Sequence, residues 1–423
     1  RTTFGGSNSF TNWNAIHPPN RQSAWFKTVL TAPDQLRQRI AFALSEIHVI
    51  SGQGPLDNRG DALAFFYDKL NEASFGNFRD ILETTTLTPA MGRYLDMRNN
   101  DKPDITVGRI PNENYAREIK QLFSVGLYRH WPDGTLMLTS KDTPIDTYTQ
   151  REIVGFAHVF TGWTDGYDGA YRTGLNAPAN WMRLMREVPA RHYTGPKRVM
   201  NNEVFPGLPT LGGQVLDPLA THNSTHFNQA AYEQLAGQEL ELSHQQLFDH
   251  PNTGPFICRQ LIQRLVTSHP SRDYLYRVVQ KFDNRGDGVR GDMQAVIKAI
   301  LLDYEARSPD MITKPAFGKQ REPVLRVAAA GRAFRPGTFA GTYTQTGTRT
   351  ITIDLTPAGT AHKLATGNNT LLEFTPTTGV APWTGTYGIT SVDTDSFTVT
   401  LDAGQTLTLW ASQVAGSTRL AIE

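Results

Sequence analysis

The pattern of apolar residues changes abruptly at Pro336, and this change constrains the fold more than any other feature. Before it, apolar residues such as Leu36, Ile40 and Leu44 recur at helical spacing, which predicts amphipathic helices. After it, threonine and apolar residues alternate, as in residues 350–355, which predicts strands separated by turns. The sequence therefore predicts a mainly α-helical domain followed by a C-terminal β-rich, sandwich-like module, α+β overall.

Three regions follow from this pattern. Residues 1–32 are rich in Asn, Thr and Gly and then in aromatic residues, and we expect an N-terminal extension in a loop conformation, packed on the body. Residues 33–334 are predicted to form one helical domain, and residues 338–423 a separate β-rich module. Within the helical domain, residues 163–228 lack a sustained period. A stretch of this length is unusual unless it is functional or packs over a site.

Composition argues against several functional classes. The net charge is only +1, which argues against a broad basic surface for nucleic acid. No run approaches the roughly 18 apolar residues that a membrane span needs. Cys258 is the only cysteine, so neither an internal disulfide nor a cysteine-based zinc site is expected. We predict no bound metal or cofactor. Because the chain starts at Arg1, we expect that a leader was removed or that upstream residues are missing.

The most informative segment is residues 111–123, with the sequence PNENYAREIKQLF. Its periodicity predicts a helix over about residues 112–127, near the centre of the helical domain. The apolar face of this helix would comprise Tyr115, Ile119, Leu122 and Phe123. We expect this face to be buried.

Polar residues of the same segment are candidates for binding or catalysis. Asn112 is well placed as an N-cap, and Glu113 in the first turn complements the helix dipole. Glu113 and Arg117 are four residues apart, in the favourable order for an ion pair. Capping and pairing explain these three residues without any chemistry. Glu118 and Asn114 flank the apolar face, and a carboxylate in that position must find a partner or shift its pKa.

Glu118 carries the sharpest expectation. Because it flanks a buried face, we expect water to be largely excluded from it, so that it pairs with a cation, binds a metal or holds a proton. The candidate partners are Arg37, Arg39, Lys197 and His192. A structural ion pair and a catalytic or ligand-binding carboxylate remain open as alternatives.

A second candidate lies in the irregular region, in residues 191–197 with the sequence RHYTGPK. His192 and Lys197 could bind an anion or take part in acid–base chemistry. A loop histidine is more often only solvated or hydrogen-bonded. Trp163, at the start of the irregular region, is also a candidate binding residue.

Two patterns resemble metal sites and fail in detail. Residues 283–288 resemble a calcium loop, but Arg285 occupies a position that should be a ligand. We therefore predict a helix–helix turn with Asp292 near the start of the next helix. His222 and His226 are four residues apart, but the residues between them form helices poorly, so zinc is not predicted.

These motifs resemble those of the domain-of-unknown-function 1800 (DUF1800) family, whose central signature is similar to residues 111–123. His48 and His158 depart from the family pattern, where an aromatic residue and an arginine are common. The matches cover roughly residues 20–334 in the family's order. Further similar segments are residues 32–39, 89–91, 122–128, 133–135, 147–150, 159–163, 250–252, 259–266, 288–292 and 321–325.

The resemblance implies a mostly helical bacterial protein that is exported to the periplasm, cell surface or extracellular space. It also implies a sulfatase-like companion protein or self-assembly, and it names no established reaction. The first hypothesis is a structural or partner-binding scaffold whose β-rich tail serves adhesion or assembly. The second is a hydrolase-like enzyme with Glu118, Asn114 and His192 gathered beneath residues 163–228. Convergence of these side chains in a concave pocket would favour the enzyme.

Overall fold

The structure is a computed structural model, and the chain divides into two compact units, residues 1–320 and 321–423. The predicted boundary at residues 334–338 thus falls one helix later than this division. A mainly helical body with a small β-rich unit confirms the predicted α+β class. The structure describes residues 18–166, 180–205, 210–211, 214–215, 229–334, 338–347, 349–354, 366–367, 369–378, 385–393, 396–400 and 415–422.

The described part of the first unit consists of helices joined by loops and short strand pairs. The helices are α1 (Pro18–Thr31), α2 (Gln35–Ser45), α3 (Gly60–Ala73), α4 (Phe78–Leu87), α5 (Pro89–Tyr94), α6 (Asn114–Gln121), α7 (Gln150–Val159), α8 (Gln229–Asp249), α9 (Thr253–Leu265), α10 (Arg272–Asp283), α11 (Met293–Leu302) and α12 (Tyr304–Arg307). The antiparallel pairs are β1 (Trp163–Thr164) with β2 (Arg186–Glu187), β3 (Lys197–Arg198) with β4 (Val204–Phe205), and β5 (Thr210–Leu211) with β6 (Gln214–Val215).

A continuous hydrophobic core joins the buried faces of helices α2 to α11. Tyr115 and Ile119 of α6 are buried in it, and the Tyr115 ring meets Phe160 edge-on with centroids 5.0 Å apart. Burying a large apolar side chain contributes roughly 1.5–3 kcal/mol each. Helix α6 therefore packs against the core, as its periodicity predicts.

The predicted extent of the α6 helix is wrong at its C-terminal end. The helix ends at Gln121, and the N–H of Gly126 donates back to the Lys120 carbonyl at 2.8 Å. Gly126 has φ of 71°, and a Cβ there would lie 2.6 Å from the Phe256 ring, so the turn requires glycine. Leu122, the first residue after the helix, is exposed, against expectation.

Helix α1 corrects the expectation of a loop over residues 1–32. Its first residues are Pro18 and Pro19, and proline suits the first turn of a helix, where its missing N–H costs nothing. Trp25 and Val29, four residues apart, then lie on the same side of the helix. Residues 1–17 lie outside the described part.

Two local features precede and begin α7. Bridges between Tyr128 and Asp146 and between Leu138 and Pro144 form a hairpin-like excursion. The Thr149 N–H donates to the Glu152 carboxylate at 2.6 Å in the capping box of α7.

The loop that resembles a calcium site is a helix–helix turn, as predicted. The Arg285 guanidinium lies between the two nearby carboxylates, 2.6 Å from Asp287 and 2.7 Å from Asp292. Asp292 caps α11 by accepting the Ala295 N–H at 2.9 Å. Over the described residues, no group of three or more His, Cys, Asp and Glu side chains could hold a metal ion. His222 and His226 lie outside these residues.

The second unit contains α13 (Pro323–Phe334) and a closed six-stranded barrel, not the sandwich-like module predicted. Its strands are β7 (Thr338–Gln345), β8 (Thr350–Asp354), β9 (Asn369–Thr378), β10 (Gly385–Val392), β11 (Ser396–Thr400) and β12 (Ala415–Ile422). They are ordered β10-β11-β8-β7-β12-β9, and β9 pairs again with β10. Buried Ile351 and Ile353 alternate with threonines along β8. This alternation suits a sandwich and a barrel equally, so it does not distinguish them.

Across the described ranges of both units, every helix is too short or too polar to cross a bilayer.

Candidate functional site

The start of α6 carries a surface cluster of polar side chains. A Glu113 carboxylate oxygen lies 3.2 Å from the Arg117 guanidinium, which confirms the predicted ion pair. The Gln150 amide donates to the same oxygen at 2.7 Å and ties α6 to α7. Because all three side chains are reached by water, the pair contributes at most about 1 kcal/mol.

Asn112 lies one residue before the N-cap of α6, so the prediction that it is the N-cap is off by one position. Glu113 occupies the N-cap position without a capping side-chain bond, whereas the Asn112 side-chain oxygen accepts the Asn114 N–H at 2.8 Å. Asn100 clamps the Asn112 backbone, accepting its N–H at 2.8 Å and donating to its carbonyl at 3.1 Å. The Asn114 amide donates to Asp96 at 3.3 Å. These contacts order the loop that precedes the helix.

Glu118 is half-buried, and water is excluded from only one of its two carboxylate oxygens, so the expected exclusion of water holds in part. Partial burial raises the pKa of its carboxyl, and Arg117 opposes that shift. One carboxylate oxygen makes no hydrogen bond within the described structure. Leu122, one helical turn further along the chain, is exposed as well.

None of the predicted cations pairs with Glu118 in the described structure. Arg37 donates to the Asn71 carbonyl at 3.1 Å, and Arg39 donates to a carbonyl of α9. His192 and Lys197 both contact a different carboxylate. Glu118, Asn114 and His192 therefore do not converge.

Replacing Glu118 with glutamine is expected to change the unfolding free energy by about 1 kcal/mol or less, because the side chain is partly solvated and unpaired. Urea unfolding of Glu118→Gln beside the parent chain measures this. A loss above about 3 kcal/mol, the usual cost of breaking a buried pair, would contradict the observed environment.

A buried cluster of acid, base and cation lies instead where α8 meets the irregular region. The Lys197 ammonium is 2.6 and 2.8 Å from the two oxygens of the Glu239 carboxylate. His192 Nε2 lies 3.0 Å from Glu239, and its Nδ1 lies 2.8 Å from the Thr161 carbonyl. All three side chains are at most 3 % exposed. The Glu239 carboxylate of α8 is therefore shared, away from water, by two side chains of the segment 191–197.

The backbone at the end of α7 shapes this cluster. Thr161 accepts the Tyr193 N–H on its hydroxyl at 2.9 Å, next to the carbonyl that meets His192. Gly162 has φ of 84°, and a Cβ there would lie 2.8 Å from the His192 backbone nitrogen. The close approach of the two chains therefore requires glycine at this position.

In this cluster the positive charge of Lys197 and the negative charge of Glu239 compensate each other. Burial lowers the pKa of His192, and the Glu239 carboxylate partly opposes that shift. Burial also lowers the pKa of the Lys197 ammonium, against the attraction of Glu239. Because water is excluded from all three groups, the cluster joins segments of the fold and offers no surface to a substrate.

Trp163 is buried in β1 and belongs to the hydrophobic core rather than to a binding surface. Its carbonyl accepts the Asn99 N–H at 2.8 Å, which links the core to the loop before α6. The predicted binding residues thus separate into three places, one of which is the core that holds Trp163. Glu113, Arg117 and Asn112 lie at the start of α6, and Lys197 lies in the buried cluster.

Glu239 is the residue that sequence analysis missed. It lies four residues after buried Leu235 and four before buried Ser243 on α8, so a carboxylate falls inside the buried stripe. The rule that a carboxylate on an apolar face needs a partner, applied to α8, would have found it.

The protein thus combines a helical body, a small β-barrel and a buried lysine–glutamate–histidine cluster. The chain belongs to the DUF1800 family, described as proteins of unknown function, whose model matches residues 14–363. The match extends past the predicted limit at residue 334 into the barrel unit. Searches of curated proteins and of solved structures gave no match.

Proposed function

We propose that this protein is an exported bacterial scaffold that binds a partner protein, either a sulfatase-like companion or a second copy of itself. The supporting observation is an ordered loop, residues 104–110, that displays three large apolar side chains to solvent. Ile105, Val107 and Ile110 are 90 %, 69 % and 81 % exposed. Exposed apolar clusters on an ordered frame are typical of protein-binding sites.

The frame of this loop is held by local hydrogen bonds. Asp104 and Arg109 exchange backbone hydrogen bonds of 3.0 and 2.9 Å. The Asp104 carboxylate accepts the Thr106 N–H at 3.0 Å and its hydroxyl at 2.6 Å. The Arg109 guanidinium donates to the Lys102 carbonyl at 3.0 Å. A preformed loop loses little conformational entropy when a partner binds, which favours affinity.

The charges around the tip suit the rim of an interface. Arg109 lies 3.6 Å from both Asp101 and Asp104, so its charge is compensated before binding. A partner can then cover the apolar tip without burying an unpaired cation.

The hydrolase-like alternative has weaker support. His192 lies apart from Asn114 and Glu118, which are both on α6, and the buried cluster around Glu239 is closed to solvent.

The triple substitution Ile105→Ser, Val107→Ser and Ile110→Ser is expected to weaken partner binding by about 100-fold or more, since anchor residues contribute about 1–3 kcal/mol each. The fold should be unaffected because these side chains lie in solvent. Light scattering after size exclusion, on the chain alone and mixed with the sulfatase-like companion, measures both forms of assembly.

The matched control is Ile312→Ser, which removes an equally exposed apolar side chain from another segment. It should leave assembly unchanged. The proposal would be refuted if the parent chain is a monomer that does not bind the companion. It would also be refuted if the triple variant assembles like the parent chain.

A further inference from the structure

Residues of helices α1, α2 and α3 and of the α1–α2 loop line an open cavity of about 240 Å³ in the first unit. Ala24, Ala32 and Ala64 form part of its wall, and their small side chains leave it unfilled. The volume suits a ligand of about ten heavy atoms, below the drug-sized range.

One side chain of the cavity wall is a guanidinium group with an unused hydrogen-bond donor. Arg21 lines it, and burial lowers the pKa of its guanidinium. Its Nε is buried and makes no hydrogen bond in the described part of the chain. A partly desolvated guanidinium has a planar set of donors that matches a carboxylate. A ligand carboxylate would supply the missing acceptor.

The same cavity also carries negative charge. Asp34 lines it and receives two weak hydrogen bonds of 3.3 Å from the Gln38 amide. Its nearest cation, Arg37, is 4.0 Å away. Asp68, on α3, adds a second carboxylate to the wall. Asp34 therefore retains capacity to accept a hydrogen bond from a ligand ammonium group.

Aromatic side chains complete the lining. Trp25 packs against Phe42 with ring centroids 5.8 Å apart, and the Tyr67 hydroxyl lies 3.4 Å from the Gln38 carbonyl. Desolvation raises the pKa of Tyr67 to about 12, so the phenol stays neutral. Trp25 and Tyr67 both line the cavity and give it apolar surface, and an aromatic face also attracts an ammonium group.

From this lining we infer that the cavity binds a small zwitterion of the α-amino-acid class. Arg21 holds the carboxylate, Asp34 receives the ammonium group, and Trp25 and Tyr67 contact the side chain. The site is independent of the apolar loop at residues 104–110 and of the buried cluster around Glu239.

The test uses three matched probes on the full chain: L-leucine, isopentylamine without the carboxylate, and 4-methylpentanoate without the amine. Isothermal titration calorimetry is expected to show binding of L-leucine and weaker binding of the other two. Arg21→Met should weaken L-leucine binding by about 10- to 100-fold, because a hydrogen bond to a charged group contributes about 1.5–3 kcal/mol.

Two further variants keep the test decisive. Ala64→Leu fills the cavity without changing its charges and should also remove binding. Lys69→Met is the control, because Lys69 is on α3 but pairs with Glu72 and does not line the cavity. No heat of L-leucine binding, equal binding of either truncated probe, or unchanged affinity in Arg21→Met would overturn the inference.

Discussion

Replacing Glu239 with glutamine is expected to lower the unfolding free energy by about 3–5 kcal/mol, since it removes one partner of a buried ion pair. The Lys197 ammonium would remain desolvated without a carboxylate beside it, although it keeps the Gly195 carbonyl, 3.3 Å away, as a hydrogen-bond acceptor. His192 would lose the charge that opposes the lowering of its pKa by burial. Urea unfolding followed by tryptophan fluorescence measures the loss.

Glu241→Gln is the matched control on the same helix. Glu241 is an exposed carboxylate that pairs with Arg79, and its loss should cost about 1 kcal/mol or less. The double variant Glu239→Leu with Lys197→Met removes both charges and should recover much of the stability lost in Glu239→Gln. Equal free energies of unfolding in Glu239→Gln and Glu241→Gln would show that the buried pair does not stabilise the fold.

Acidification from pH 7 to pH 5 is expected to remove about 4 kcal/mol of stability through His48 and His244 together, about 2 kcal/mol each. Burial lowers the pKa of each imidazole from 6.5 to about 3. The unfolded chain therefore binds more protons than the folded chain between these values. The stabilisation is complete above pH 6.5 and is lost as the pH falls towards 3.

The surroundings of both rings suit the neutral form. His244 Nε2 lies 2.7 Å from the Thr86 hydroxyl, which also lies 2.6 Å from the Tyr115 hydroxyl. His48 Nδ1 lies 3.2 Å from the Thr85 hydroxyl. Hydroxyl groups can serve a neutral imidazole as donor or acceptor, but they carry no charge to compensate an imidazolium.

The measurement compares urea unfolding at pH 7 and pH 5. His48→Phe and His244→Gln should each remove about 2 kcal/mol of the pH-dependent change, since neither replacement titrates there. His269→Gln, which changes an exposed histidine, should leave the profile as it is. A parent chain equally stable at both pH values would show that these histidines are not held neutral by the fold.

The sequence predicts those elements that depend only on residues close together in the chain. Helices α3 and α4 follow from apolar stripes, and the turn between residues 283 and 292 follows from its glycines and Asp292. The length of α6 does not follow in the same way. Its end depends on Gly126 and on the ring of Phe256, which is distant in sequence. Barrel closure similarly depends on which strands pair, and side-chain alternation is the same in both arrangements.

The candidate site shows the same division. The Glu113–Arg117 pair follows from a spacing of four residues on one helix, and the structure confirms it. His192 and Lys197 were recognisable by residue type, but their partner comes from α8, more than 40 positions further along the chain. Tertiary packing selects that partner, so spacing within one segment cannot identify it.

The closed barrel has a consequence for how the β-rich unit meets other chains. Strand β12 pairs with β7 on one side and β9 on the other, so residues 415–422 complete the ring of backbone hydrogen bonds. Open sheet edges invite strand addition and fibril growth, and closure removes them. Proteolytic loss of β12 alone would uncover two edges at once. The last strand thus protects a threonine-rich unit against aggregation.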